Sequence, residues 1–205
     1  MTITNGYCTL AEYKQASDIT STANDTLHEL AISAASRMID RHCGRKFWQD
    51  GSVVAREYHA DDRRTVFTDD ISTTTGLIVK VDTADDATWA TTLTITTHFL
   101  LAPLNAADQV PVRPFDEIRL TDDTTDFFPT GVRPGVQVTA KFGWPAVPDE
   151  VKLATILQAQ MLGTAKNARG GILQLSVDGI GPTRMSRRLH PQAELLLEDF
   201  VLEPR

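Results

Sequence analysis

The sequence predicts an α+β fold, in which an α-helical body of two long helices plus short terminal helices is interrupted by a β-rich section. Apolar residues recur every three or four positions towards both ends of the chain, as on one face of a helix. Between residues 52 and 144 the pattern changes to short runs rich in β-branched and aromatic residues. We therefore divide the chain into residues 1–51, 52–144 and 145–205, with a sandwich- or barrel-like β section between two parts of the helical body.

The N-terminal part contains two predicted helices. Thr9 and Glu12 have the spacing of a capping box, which predicts a short helix over residues 10–15. A polar stretch follows, and Asn24 or Asp25 then caps a longer helix that ends at Gly44. Its predicted buried face consists of six residues at helical spacing: Leu27, Leu30, Ala31, Ala34, Met38 and Ile39.

The β section consists of short segments separated by turns rich in aspartate, threonine, proline and glycine. Residues alternate between apolar and polar at 94–96 and 136–139, a pattern typical of strands that are buried on one face. Six segments are predicted as strands: residues 53–58, 65–68, 77–82, 93–101, 117–121 and 136–142.

The C-terminal part returns to helical spacing. A long helix is predicted from Pro148, because proline and the two acids after it suit the first turn of a helix. It ends near the glycine pair at 170–171, and a flexible stretch follows up to Pro182. Pro191 then opens a last, leucine-rich helix.

The composition is that of a folded soluble protein. The chain has 205 residues, of which 41% are hydrophobic and 23% charged, and these values exclude a disordered, collagen-like or disulfide-rich chain. No stretch approaches the roughly 18 apolar residues of a membrane span, and residues 1–6 lack the features of a signal peptide. We therefore expect a protein that stays where it is synthesised and binds no membrane.

The net charge of −7 arises in the middle of the chain. Residues 57–126 contain fourteen acidic and five basic side chains, whereas the segments on either side are close to neutral. This balance argues against a general phosphate-binding surface, because DNA affinity comes largely from lysine and arginine. Two interpretations remain open: a solvated face that keeps the protein soluble, and a surface that DNA must pass without sticking.

Four aspartate pairs in predicted turns account for much of this charge: Asp61 and Asp62, Asp69 and Asp70, Asp85 and Asp86, and Asp122 and Asp123. Aspartate is common in turns because its carboxylate accepts hydrogen bonds from the local backbone. Paired carboxylates also serve glycoside hydrolysis and calcium binding, but none of these pairs has the ligand spacing of an EF-hand loop. Surface turns are the interpretation that the pattern favours.

No catalytic or metal-binding constellation is evident. Cys8 and Cys43 are far apart in sequence, and the five histidines are scattered singly, whereas zinc ligands occur in closely spaced pairs. The glycines at 179 and 181 lack the third glycine of a dinucleotide-binding loop. We therefore predict no enzyme activity, no metal and no cofactor.

A basic cluster precedes the last helix. Three interpretations of this cluster remain open. It is a solvated segment, it becomes ordered when it docks on a protein, or it contacts phosphate groups. The docking hypothesis rests on glycine-rich flexibility, basic charge and a leucine-rich helix in one segment. The basic cluster is Arg184, Arg187 and Arg188. The proposed docking residues are these three arginines together with Leu189, Leu195, Leu196 and Phe200.

Four segments in order carry a resemblance to a known family: residues 7–13 (YCTLAEY), 34–47 (AASRMIDRHCGRKF), 142–155 (FGWPAVPDEVKLAT) and 189–197 (LHPQAELLL). They resemble the opening helix, the N-terminal long helix, the strand-to-helix junction and the terminal helix of tailed-bacteriophage head–tail connector proteins. These proteins are also called adaptor or head-completion proteins. Residues 101–106 (LAPLNA) are similar to versions with a β-rich insertion.

The resemblance implies a structural virion protein. Such proteins form a homo-oligomeric ring, commonly a dodecamer, under the portal protein, and they extend the DNA channel and join the capsid to stopper or tail-completion proteins. The implied location is the neck of a virion assembled in the bacterial host cytoplasm. The C-terminal docking residues would then bind the portal, and the acidic turns would face the DNA channel or the tail, so that DNA passes without specific binding.

Two other functions remain open at this stage. A β-rich module that binds a carbohydrate or a receptor could use Trp48, Trp89 or Trp144 as stacking surfaces, although packing is the commoner role of tryptophan. A small hydrolase could use the acids of the β section, but no nucleophile, base and stabilising group can be named together.

Overall fold

The computed structural model describes residues 3–131, 133–164, 172–173, 183–184 and 189–202, and these form a mixed α+β protein, as predicted. The helices are α1 (Leu10–Ala16), α2 (Asp25–Cys43), α3 (Asp149–Thr164) and α4 (Pro191–Leu197). The strands are β1 (Val54–Tyr58), β2 (Thr65–Ile71), β3 (Ile78–Val81), β4 (Thr91–Leu93), β5 (Phe99–Ala102), β6 (Phe115–Leu120), β7 (Val136–Ala140), β8 (Ile172–Leu173) and β9 (Thr183–Arg184).

The described residues form two compact units. The helical unit contains the chain up to Phe47 and from Val147 onward, and it holds all four of the helices named above. The β unit is Trp48–Ala146 and holds strands β1 to β7. No helix within the described part of the chain is long and apolar enough to cross a membrane.

Three predicted helix boundaries in the N-terminal part are confirmed in position. The capping box is formed: the Glu12 backbone N–H donates to the Thr9 hydroxyl at 3.2 Å, and the Thr9 N–H donates to the Glu12 carboxylate at 2.7 Å. Asn24 occupies the N-cap position of α2, but its side chain makes no capping hydrogen bond. Gly44 ends α2 in the left-handed conformation, with φ of 67°, which glycine adopts without steric cost.

The buried face of α2 agrees with the prediction at Ile39 and differs from it at other positions. Ile32, Ala35, Ile39 and Cys43 are fully buried, whereas Leu30 is 45% exposed. Both sets of residues recur at helical spacing, so the spacing alone could not decide between them. The face that is buried packs on α3 residues such as Ile156 and Ala159, and the small Ala35 allows the close approach.

Tyr7 fastens the start of the chain to α2. Its hydroxyl donates a short hydrogen bond to the Asp40 carboxylate and accepts one from the Phe47 backbone N–H at 2.9 Å. The Tyr7 backbone N–H donates to the Ser36 hydroxyl at 3.1 Å. Burial and the hydrogen bond to Asp40 raise the pKa of Tyr7 far above its ordinary value.

The last helix is packed against the helical unit. The Gln158 side-chain oxygen on α3 accepts from the His190 backbone N–H at 2.8 Å, and the His190 ring caps α4 by accepting from the Gln192 N–H at 3.3 Å. Beyond α4, the Leu202 N–H donates to the Cys43 carbonyl at 2.9 Å. The predicted flexible stretch before this helix lies outside the described residues, apart from the paired strands β8 and β9.

Two antiparallel sheets share one hydrophobic core in the β unit. Their strand orders are β1-β7-β3-β4 and β2-β6-β5. Inward residues of both sheets are fully buried, among them Val79 and Val138 of the first and Val66 and Ile118 of the second. Along β7, buried residues alternate with half-buried ones, which is the pattern of a sheet with one face in the core.

The segment predicted as one strand over residues 93–101 is two strands, β4 and β5. A turn separates them: the His98 ring accepts from the Thr94 N–H at 2.9 Å, and the His98 N–H donates to the Thr94 carbonyl at 2.8 Å. Thr96 has a φ of 67°, which no strand residue adopts. The β-branched residues of this segment made the whole run look extended.

A corner joins the two sheets where the chain enters and leaves the β unit. The Asp50 N–H donates to the Phe142 carbonyl at 2.8 Å, and the Gly143 N–H donates to the Asp70 carbonyl at 2.7 Å. Gly143 has a φ of 105°, and a Cβ there would lie 1.8 Å from the Trp48 carbonyl oxygen. Only glycine therefore fits this position.

Candidate interaction surfaces

Strand register determines which turns of the β unit lie together. In one sheet the end of β1, the start of β7 and the end of β3 pair side by side. In the other sheet the same holds for the start of β2, the end of β6 and the start of β5. A bridge between Ile71 and Phe142 joins the opposite ends of the two sheets. The turns at 59–64, 82–90 and 121–131 therefore lie at one end of the unit.

This end carries three of the four predicted aspartate pairs, and we call it the acidic end. All six side chains are exposed: Asp61, Asp62, Asp85, Asp86, Asp122 and Asp123. Residues 48–146 contain fifteen acidic and eight basic side chains, so the whole net charge of −7 lies in the β unit. The sequence showed the excess of acids, and the register of the strands concentrates them.

Arg64 holds two of these turns together. Its guanidinium donates to the Asp122 carboxylate at 3.2 Å and makes a short hydrogen bond to the Thr121 carbonyl. Its backbone N–H donates to the Asp62 carboxylate at 2.6 Å. Because this ion pair is exposed to solvent, it adds little to stability, and its effect is to link the two turns.

The turn after β3 is organised by a carboxylate that the sequence analysis did not single out. Asp82 is buried, and its two oxygens accept from the backbone N–H groups of Asp86 and Ala87 at 3.3 and 2.7 Å. Hydrogen bonds from the hydroxyl and the backbone N–H of Thr88 lower the pKa of Asp86. Asp86 therefore remains charged at neutral pH.

Asp69 and Asp70 correct the expectation of four acidic turns, because both lie within strand β2 and away from the acidic end. The Asp69 carboxylate accepts from the Arg56 guanidinium at 2.6 Å and from the Tyr58 hydroxyl at 2.9 Å. Asp70 is buried and accepts from the Trp144 indole N–H at 3.1 Å. Asp70 thus holds the corner of the unit and is not available to a channel.

The predicted portal-docking residues are divided by the structure. Leu189 and Phe200 are buried in the helical unit, where the Phe200 ring packs edge-on against Phe47 at 5.8 Å, so neither is available to a partner. Leu195 is 71% exposed and Leu196 is half-buried. Arg184 lies in β9, whereas Arg187 and Arg188 lie outside the described residues.

The two cysteines have the environment of packing residues. Cys8 and Cys43 are free thiols and both are buried. Burial raises the pKa of each from an ordinary value of 9.0 to about 12, so neither is a thiolate at neutral pH. Within the described ranges, no three histidine, cysteine or acidic side chains are grouped closely enough to hold a metal ion.

No protein-family model matches the chain, and no curated protein is similar to it in sequence. Solved structures share its fold across 100% of this chain and 94% of theirs. One is the neck of an empty gene transfer agent (GTA) particle computed with C6 symmetry, at 16% identity and a TM-score of 0.54. A second is the neck of the native GTA particle computed with C12 symmetry, at 17% identity and a TM-score of 0.51.

A third is the virion of the native gene transfer agent particle, at 20% identity and a TM-score of 0.52. These likenesses show a common fold that includes both the helical and the β unit. Chains with this fold are found in the necks of particles, which is consistent with the resemblance to head–tail connector proteins.

Proposed function

We propose that this chain is a non-enzymatic virion protein of the head–tail connector class. In this proposal it forms a ring under the portal protein, extends the DNA channel and joins the capsid to the tail. The observation that supports it most strongly is the extent of the shared fold: the match to a neck structure takes in all of this chain and 94% of the other. Similarity of one common domain would not reach that coverage of both chains.

The ring itself belongs to the same proposal. The neck structures with this fold were computed with six-fold and twelve-fold symmetry, and a dodecamer of this chain would satisfy both. The helical unit would form the adaptor body, with the β unit as an insertion between α2 and α3. A stopper or tail-completion protein would bind below the ring, and the protein would be made in the host cytoplasm before it joins the virion.

The portal-facing surface would centre on α4. Leu195 projects from a helix whose other face is anchored through the buried Ala193 and Leu197. A large apolar side chain that is exposed on a rigid helix is suited to a pocket on a partner. Arg184 belongs to the same proposed docking segment, and the buried Leu189 and Phe200 would support α4 from within.

The acidic end would face the DNA channel or the tail. DNA carries a dense negative charge, so a surface rich in carboxylates does not bind it and offers no site at which the moving DNA is held. The six exposed aspartates of this end would repel the phosphates. The arginines among them contact the protein itself: Arg64 donates to the Asp122 carboxylate, Arg133 donates to the Asp85 carbonyl at 3.0 Å, and the Arg63 guanidinium lies over the Phe127 ring at 4.3 Å.

Electron microscopy of phage particles made without this protein tests the proposed function. We expect DNA-filled or leaking heads beside separate, finished tails, because the capsid and tail would lack the part that joins them. Supplying the wild-type gene in trans should restore joined virions. Normally joined virions in the absence of the protein would contradict the adaptor role.

Charge reversal tests the acidic end separately. In the variant Asp122→Lys/Asp123→Lys the charge of this end rises by four, and we expect impaired DNA ejection or packaging retention through new phosphate contacts. The purified variant should bind duplex DNA at low salt and release it as salt is raised. The variant Asp122→Asn/Asp123→Asn is the graded control, with half the charge change. Unchanged infectivity of the lysine variant, at normal incorporation into particles, would refute the proposed role of this surface.

A further inference from the structure

The connection between β5 and β6 exposes three large apolar side chains. Val110 is 99% exposed, Leu104 is 69% exposed and Val112 is 42% exposed. We call these three residues the apolar tip. Single exposed apolar residues are common on protein surfaces, but here three fall within nine residues of one loop, and local concentrations of exposed apolar side chains mark interaction sites.

The loop that carries the apolar tip is held in one conformation by Ala106. This residue is fully buried, and its N–H donates to the Pro103 carbonyl at 3.2 Å. Its carbonyl accepts from the Arg113 N–H at 3.0 Å, which closes the loop across its base. The side chains of the tip are therefore presented by a built loop, so that binding would cost little ordering entropy.

A second apolar surface lies on the outer face of the sheet β1-β7-β3-β4. Register pairs Ala55 with Thr139 and Thr139 with Ile78, and alternation places Val53 on the same face as Ala55. Val53 and Ile78 are each 44% exposed. We call Val53, Ala55, Ile78 and Thr139 the neutral sheet face.

The apolar tip and the neutral sheet face lie at the same end of the β unit, and neither has a net charge. Both lie towards the end of the β unit opposite the acidic end, because β5 finishes there and β1 and β3 begin there. The loop over residues 103–114 contains one aspartate and one arginine, and the outer row next to the neutral sheet face contains Glu57 and Lys80. At each surface the acidic and basic side chains are equal in number, whereas the whole β unit has a net charge of −7. Two copies of the unit therefore repel each other through their other surfaces and can approach each other through these two.

We propose that the apolar tip of one copy packs on the neutral sheet face of the next copy. The inference rests on the proposed function, since it names the contact between neighbouring subunits of the ring. A contact between two different surfaces is heterologous, and heterologous contacts close into rings when the rotation between copies allows. Three side chains bury far less than the roughly 800 Å² per partner of a stable complex, so the contact holds only when it is repeated around the ring.

Thiol cross-linking inside assembled particles tests the contact. In particles that mix copies carrying Val110→Cys with copies carrying Ile78→Cys, a short bismaleimide should join the two kinds of copy into covalent dimers. A chain that carries both substitutions should give a ladder of multimers, because each copy then links to both neighbours. Particles with either substitution alone should give monomers. The native thiols Cys8 and Cys43 are buried and do not compete.

The pair Thr83→Cys and Ile78→Cys is the matched control, because Thr83 is also exposed in the β unit but lies in the turn after β3, at the acidic end, and it should give no dimers. Absence of dimers in the mixed particles, with the protein present in them, would overturn the contact while the adaptor role stands. Dimers from Val110→Cys alone would overturn it in favour of a symmetric tip-to-tip contact. Absence of the protein from particles would instead refute the proposed function.

Discussion

Replacing Gly143 with alanine is expected to destabilise the β unit strongly. An alanine Cβ would lie 1.8 Å from the Trp48 carbonyl oxygen and 2.8 Å from its carbon, and these are backbone atoms that cannot rotate away. The φ of 105° adds strain for any side chain. We expect a loss of about 3 kcal/mol or more in the free energy of unfolding, measured by urea denaturation followed by circular dichroism.

Gly51 and Gly131 are the matched controls for this substitution. Both are in the β unit, and a Cβ at either position would meet no atom within 4 Å. Alanine at these positions should change the free energy of unfolding by less than about 0.5 kcal/mol. A Gly143→Ala variant as stable as the two controls would show that the corner can relax, which would contradict the prediction.

The helical unit is expected to lose stability steeply above pH 9. Burial raises the pKa of Cys8 and Cys43 from 9.0 to about 12, so between these values the unfolded chain has released two protons that the folded chain retains. The folded state binds more protons, so it becomes less favourable as the pH rises. The free energy of unfolding falls by about 1.4 kcal/mol per thiol for each pH unit in this range. By pH 11 the two thiols together remove about 5 kcal/mol, comparable with the whole stability of a small domain.

Urea denaturation at pH 8, 9, 10 and 11, with helical circular dichroism as the signal, measures this slope. Cys43→Ala removes one titrating thiol, so its slope between pH 9.5 and 10.5 should be smaller by about 1.4 kcal/mol per pH unit, whatever the cavity costs at pH 8. Cys8→Ala should show the same change in slope. Equal slopes for both variants and the wild type would contradict the prediction.

Local signals in the sequence predicted the helix ends well. The Thr9–Glu12 box and Gly44 act through bonds and backbone angles within a few residues, so their chemistry can be read directly. The choice of buried face on α2 could not be read in this way, because it depends on the partner helix α3 more than a hundred residues later. Ile32 rather than Leu30 is buried for that reason.

The candidate surfaces were predictable in composition but not in arrangement. The excess of aspartates is a sequence property, whereas their concentration at one end follows from strand order, which no local pattern encodes. Asp70, like Asp62, is the second residue of an aspartate pair, but it is buried in strand β2 and accepts from the indole of Trp144, 74 residues away, whereas Asp62 is exposed. The apolar tip was missed because an exposed and a buried valine look alike in sequence.

The corner where the chain enters and leaves the β unit has a consequence for the order of folding. The helices α2 and α3 pack together, yet the 99 residues of Trp48–Ala146 separate the two halves of the helical unit in sequence. Closing a flexible loop of that length costs about 4 kcal/mol in chain entropy. Once the bond between Asp50 and Phe142 has formed, the open connection shrinks to the few residues on either side. We therefore expect the β unit to fold first and to bring the two halves of the helical unit within reach of each other.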